Sequence, residues 1–69
     1  MKLSTRNVIK GKVVDIKEGQ VAAKVKMDIG GGNILTSTIT VEAVKELGLK
    51  PGDQIYALIK ASSVMIATD

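Results

Sequence analysis

The 69-residue sequence contains no cysteine and no histidine, and Tyr56 is its only aromatic residue. Without cysteine the chain has no disulfide and no thiolate nucleophile or metal ligand. Without histidine it lacks the commonest general base and any histidine-containing zinc site. A domain of about 60 residues buries only about 60% of its unfolded surface, so its stability is marginal. Association with other copies is the remedy that remains.

Paired carboxylates suited to acid–base catalysis are also missing. The seven acidic residues are isolated or lie on the exposed sides of predicted elements. Glu42 and Glu46 are four residues apart on a predicted helix, but with Lys45 between them they are more simply part of a solvated face. We therefore expect that the protein is not an enzyme.

Long hydrophobic runs are absent as well. No stretch approaches the roughly 20 apolar residues of a membrane span, and the first residues, MKLSTRN, lack the apolar run of a signal peptide. The net charge of +3 is mild and the lysines are spread along the chain. These features lead us to expect a soluble, cytoplasmic protein without a membrane partner.

What the chain does contain is β-branched and alternating sequence. Residues 8–16 predict a strand in which Gly11 marks a bulge or a close backbone approach. After a turn at 17–20, residues 21–29 alternate, which predicts a second strand. The side chains expected on its inner face are Val21, Ala23, Val25, Met27 and Ile29. Gly30–Gly32 then predict a hairpin turn leading to a third strand at 33–40. A phosphate-binding loop is less consistent with a strand at that position.

The segment 41–53 predicts one short helix followed by a turn. Thr40 suits the N-cap, Val41, Val44 and Leu47 would line one side, and Gly48 suits a left-handed stop. Two further strands are predicted at 54–60 and 64–67. The fold class is therefore all-β, a five-stranded OB-like barrel with one short helix between strands 3 and 4, in a single domain spanning 1–69.

Two short segments near the ends of the chain are rich in hydrogen-bond donors and free of carboxylates. Ser4, Thr5, Arg6 and Asn7 form the first, and residues 60–63, KASS, form the second. Convergent hydroxyls, amides and cations are the groups that hold a tetrahedral oxyanion. A fully ionised dianion cannot donate to a carboxylate, so a carboxylate-free site suits it. On composition alone, a solvated terminus and an ordinary turn explain these segments better.

A family resemblance changes that balance. STRN, Gly11, TSTIT, LGLKPGD and IKASSVMIATD closely resemble the molbindins, small molybdate-binding proteins built on one TOBE-type, OB-like domain. The likeness covers essentially the whole chain. The usual family motif is Ser-Ala-Arg-Asn, so Thr5 is a departure that adds a donor.

The resemblance implies a function, a ligand and a set of site residues. The function would be intracellular storage or homeostasis of molybdate, and of tungstate, without an organic cofactor or catalysis. Ser4 and Arg6 would bind the oxyanion, with the main chain of Thr5 and Asn7 contributing. Lys60, the amide of Ala61 and Ser62 would form the second half, and Thr40 a third contribution.

The resemblance also implies an assembly. Molbindins form hexamers, trimers of dimers, with anion sites at subunit interfaces. They have further sites near a three-fold axis, for which the turn KEGQ (17–20) is our candidate. The alternative hypothesis is an OB-type module that binds nucleic acid or protein. Domains of this type stack bases on aromatic side chains, and this sequence offers only Tyr56. We therefore do not expect nucleic acid as a partner. A third hypothesis is a regulatory module, which would need another chain to read DNA.

Overall fold

The computed structural model describes residues 4–69. Within them the chain forms four strands, one α-helix and one 3₁₀ turn. In chain order they are β1 (Asn7–Glu18), β2 (Ala22–Gly30), β3 (Asn33–Thr40), α1 (Val41–Leu47), β4 (Gln54–Ile59) and η1 (Ala61–Ser63). All strand pairs are antiparallel, in the order β3-β2-β1-β4. The order of the first four strands and the helix is as the sequence predicted.

The long strand β1 lies between β2 and β4 in the sheet and contains a bulge. Residues Asn7–Lys12 pair with β4, and Lys12–Glu18 pair with β2 across a register shift between Val13 and Asp15. A bulge adds one residue to a strand and bends it. Beside the bulge, the Val13 amide donates to the Asp53 carbonyl at 2.9 Å, which ties the turn before β4 to β1. The bulge therefore lies just after the part of β1 that pairs with β4.

The core lies under one face of the sheet, against α1, and it is aliphatic. Its buried residues are Val13, Ala23, Val25, Met27, Val44 and Ala57. The predicted alternation of β2 is confirmed for Ala23, Val25 and Met27. It is wrong for Val21, which precedes the strand and is largely exposed. A residue in the turn has no neighbouring strand to cover its side chain.

Two glycine predictions can be compared with the backbone. At Gly11 an added Cβ would lie 3.0 Å from the Asp28 carbonyl oxygen, so the close approach is confirmed, whereas the bulge lies two residues later. Gly31 and Gly32 have φ values of 63° and 78° and form the predicted hairpin between β2 and β3. Only glycine adopts such angles at no steric cost.

The helix α1 begins and ends at the predicted residues. The Ala43 amide donates to the Thr40 hydroxyl at 3.0 Å, and Gly48 has the left-handed conformation with φ 64°. Val44 is buried and Val41 half-buried, but Leu47 is 68% exposed, so its assignment to the core side is wrong. The helix has only seven residues, and Leu47 is not among the side chains that pack against the core.

The structure has no strand at 64–67, so the prediction of a fifth strand there is corrected. Residues 61–63 form the turn η1, and the residues after it belong to no strand in the described chain. Met65 is 94% exposed and Ile66 89%. A strand needs a neighbour for its backbone hydrogen bonds, and residues 64–67 pair with no strand of the described chain. The sheet is accordingly open rather than a closed barrel, with β3 and β4 at its edges.

Across residues 4–69, no helix has the length and apolar character needed to cross a membrane.

Candidate functional site: an oxyanion pocket

The two donor-rich segments predicted from the sequence meet at one end of the sheet. They line a concavity of about 450 Å³, which we call the oxyanion pocket. Its lining residues are Ser4, Thr5, Arg6, Lys60, Ala61 and Ser62. Although 53 residues lie between Arg6 and Lys60 in the sequence, the pairing of β1 with β4 brings the two segments together.

The position of the pocket follows from the register of that pairing. Val8 pairs with Leu58 and Asn7 with Ile59, where the ladder ends. One further step would place Arg6 opposite Lys60. Like charges directly opposite each other destabilise a strand pair. The ladder ends before these two cations would be paired, and the pocket is the space where the strands separate.

The pocket is lined by side chains that donate hydrogen bonds. Arg6 and Lys60 supply two positive charges, and Ser4, Thr5 and Ser62 supply hydroxyls. No carboxylate is among the described residues that line it. Such a set can surround an anion with charge-assisted hydrogen bonds, which are roughly twice as strong as neutral ones.

The turn η1 leaves main-chain donors beside these side chains. The Ser63 amide donates to the Lys60 carbonyl at 2.9 Å, and the Val64 amide to the Ala61 carbonyl at 3.3 Å. The first amides of a helical turn have no partner within it. Accordingly, the amides of Ala61 and Ser62 donate to no carbonyl of residues 4–69.

The pocket is open in a single chain. Five of the six lining residues are exposed, and Thr5 alone is half-buried. An anion bound there would keep much of its hydration, and Coulomb attraction is weak in high dielectric. A tight site at this position therefore needs a further surface to cover it.

Two predicted site residues lie outside the pocket lining. Asn7 directly follows the lining residue Arg6 and begins β1, and its side-chain amide donates to the Ile59 carbonyl at 3.1 Å. Thr40 ends β3, the edge strand opposite β4, and its hydroxyl accepts from Ala43. One chain therefore does not bring Thr40 to the pocket.

The turn suggested for a three-fold site borders a second concavity, of about 270 Å³. Its polar lining includes Lys17, Glu18, Lys24 and Thr38. Lys17 and Glu18 belong to β1 rather than to the predicted turn, because β2 pairs with β1 as far as Glu18. Lys17 and Lys24 are directly paired across the strands.

The sequence matches a known domain along nearly its whole length: residues 3–66 match the TOBE domain. The chain belongs to this family. It is 56% identical over 69 residues to a probable molybdenum-pterin-binding protein of Haemophilus influenzae, with all of both chains covered. That identity, over the full length, also makes it a Mop-type relative within the TOBE family.

Solved structures agree with this assignment. A molybdate-binding protein from Sporomusa ovata superimposes on this TOBE chain with a TM-score of 0.92, at 40% identity, covering 99% of this chain and 100% of the other. The cytoplasmic molybdate-binding protein ModG, solved with molybdate bound, gives a TM-score of 0.90 at 49% identity. The match covers 94% of this chain but only 46% of ModG. The fold of this chain is thus that of the molbindins.

Proposed function

We propose that the protein binds molybdate, and tungstate, in the oxyanion pocket. The observation that carries the proposal is the convergence of Arg6 and Lys60, with three hydroxyls and no carboxylate, where the β1–β4 ladder ends. The relatives support the choice of ligand, since two of the matched structures are of proteins named for molybdate binding. Tungstate is expected to bind as well because its size and charge are close to those of molybdate.

The role we propose is storage of the oxyanion in the cytoplasm rather than catalysis. The pocket offers groups that hold an anion but no general base, and no cluster of acidic, histidine or cysteine residues suited to a metal cation occurs within residues 4–69. A donor set of this kind stabilises the bound dianion without activating a water or a nucleophile. The ligand can therefore be released unchanged.

We further propose that a second copy of the chain completes the site. The exposed lining leaves room for a covering surface, and the tail after η1 presents Val64, Met65 and Ile66 to solvent. Burial of such side chains contributes about 1.5–3 kcal/mol each. In this assembly the tail would extend along the free edge of another copy's sheet, which would supply the fifth strand. The assembly that we propose is a hexamer, a trimer of dimers.

The assembly also gives Thr40 a place in the site. Within one chain it lies at the far edge of the sheet, so any contribution to the pocket would come from the neighbouring copy. The residues around 17–20 remain our candidate for a site near the three-fold axis. There, the Lys17–Lys24 pairs of several copies would lie close to one another.

Isothermal titration of molybdate into the purified protein tests the proposal, with tungstate, sulfate and phosphate as parallel titrants. We expect saturable heat with molybdate and tungstate and little with phosphate, whose proton meets few acceptors in the pocket. Because the Haemophilus relative is named for molybdenum-pterin, a free pterin is a further titrant. Heat with pterin but not with molybdate would contradict the proposal.

The alternative function is an interaction module for nucleic acid. The exposed Tyr56 lies opposite Lys10 on the outer face of the sheet, which gives one stacking group beside one cation. This function predicts salt-sensitive binding of single-stranded oligonucleotides and indifference to molybdate.

A further inference from the structure

A single side-chain hydrogen bond joins the two residues that adjoin the lining of the oxyanion pocket in sequence. The Asn7 amide nitrogen donates to the Ile59 carbonyl at 3.1 Å, in a half-buried position. Asn7 and Ile59 are also the last register pair of β1 and β4. The bond thus links the two strands at their final rung, over and above the backbone pairing.

The two halves of the pocket begin on either side of this bond. Arg6 directly precedes Asn7, and Lys60 directly follows Ile59. Their like charges favour separation of the strand ends, as like charges opposite one another do in any sheet. Without a bond at the last register pair, the ladder would open further. The two half-sites, residues 4–6 and residues 60–62, would then move apart from each other.

We propose that Asn7 is a positioning residue: its side chain does not hold the anion but sets the distance between the half-sites. The inference rests on the proposed oxyanion function. The Asn7 amide already donates to Ile59, and the side chain is absent from the pocket lining. The bound anion and the Asn7 bond act in the same direction, since both oppose the repulsion between Arg6 and Lys60.

The chain offers a matched control in Asn33. Its side-chain amide also donates to a backbone carbonyl at 3.1 Å, that of Gly30, but at the hairpin between β2 and β3. Asn7→Ala and Asn33→Ala therefore remove the same kind of bond at two places, only one of which borders the pocket. The Asn33 bond is the more exposed, so melting temperatures of both variants are recorded and binding is measured well below them.

The first measurement is molybdate titration of the parent and both variants. We expect Asn7→Ala to raise the dissociation constant on the order of tenfold, because the net contribution of one hydrogen bond corresponds to about that factor. Asn33→Ala should bind like the parent. Equal affinity of Asn7→Ala and parent would overturn the inference and leave the proposed function intact. Equal weakening in both variants would overturn it too, since general stability would then explain the effect.

The second measurement needs no anion. Hydrogen exchange of the amides at the end of β4 should be faster in Asn7→Ala and unchanged in Asn33→Ala. Unchanged exchange in Asn7→Ala would refute the positioning role independently of ligand binding. A parent that binds no molybdate refutes the proposed function, and the inference with it. If Asn7→Ala fails to fold, Asn7→Ser is measured instead, because serine retains a shorter donor. Its molybdate affinity and its exchange rates should lie between those of the parent and those expected for the alanine variant. Parental affinity together with parental exchange rates would count against the positioning role.

Discussion

At the scale of single residues, Arg6 and Lys60 have the clearest consequences. Both lie in the oxyanion pocket and both are exposed, so in a single chain water screens their repulsion. In the proposed assembly a second copy would cover the pocket and remove that screening, so the two cations would need a counterion. We therefore expect the anion to be held most strongly in the assembled protein.

Replacement of either cation by alanine should reduce molybdate affinity. A charge-assisted hydrogen bond contributes about 1.5–3 kcal/mol, which corresponds to roughly tenfold to a hundredfold in the dissociation constant. Titration of Arg6→Ala and Lys60→Ala measures the loss. Lys45→Ala, on the exposed side of α1, is the control and should bind like the parent. If both pocket variants bind like the parent, the site is elsewhere.

Thr40 permits a second test at this scale, because its two roles respond differently to a carboxylate. Asp is as good an N-cap as Thr, and negative charge suits a helix N-terminus, so Thr40→Asp should melt near the parent. Thr40→Ala should lose about 1 kcal/mol by thermal unfolding. If Thr40 of a neighbouring copy reaches the anion, Thr40→Asp should abolish molybdate binding. Normal binding by Thr40→Asp would restrict Thr40 to its cap.

At the scale of elements, the strand β1 determines where the site lies. It pairs with both β2 and β4, and its register with β4 brings the two donor-rich segments together. The close approach of Gly11 to β2 lies between these two regions. The geometry of the pocket therefore depends on the packing of β1 several residues away.

Gly11→Ala should destabilise the fold. The added Cβ would lie 3.0 Å from the Asp28 carbonyl oxygen, and backbone cannot move aside as a flexible side chain can. Overpacking of this kind costs about 1–3 kcal/mol, which denaturant unfolding would detect. Lys12→Ala, at the next and exposed position of β1, is the control. A variant as stable as the parent would show that β1 and β2 separate there without cost.

At the scale of the whole molecule, the apolar tail is the feature that a single chain leaves unexplained. Met65 and Ile66 are almost fully exposed, and both edges of the sheet lack a neighbour among the described residues. Edge strands and exposed apolar residues together favour pairing with another copy. Self-association would satisfy both.

Ile66→Glu should therefore disrupt the assembly. Burial of a carboxylate in an apolar interface is unfavourable, so the particle mass measured by analytical ultracentrifugation should fall, and molybdate affinity with it. Thr68→Glu places the same charge two residues later and should leave the mass unchanged. An Ile66→Glu protein of parental mass would contradict a role of the tail in assembly.

Molybdate should also raise the melting temperature of the assembled protein. A ligand that binds only the folded state adds RT ln(1 + [L]/Kd) per site, about 2.7 kcal/mol at a concentration one hundred times Kd. Calorimetric melting with molybdate, beside an equal concentration of chloride, measures the shift. A melting curve that saturating molybdate leaves in place would argue strongly against the proposed function.

Local sequence determined much of this protein. The alternation of β2, the glycine hairpin, and the cap and stop of α1 are short-range features, and the structure has them where the sequence predicted them. The family resemblance also singled out the residues of both donor-rich segments as candidates, which composition alone did not. Their convergence was an expectation from that resemblance.

Tertiary structure decided the rest, because it depends on contacts between distant residues. Val21 and Leu47 are exposed since no element covers them, and residues 64–67 form no strand since no neighbour in the chain pairs with them. The bulge at Val13 and the bond from Asn7 to Ile59 arise only from the register of β1 with its partners. The sequence by itself determines the types of side chain that line the pocket. The register of β1 with β4 determines how far apart those side chains lie.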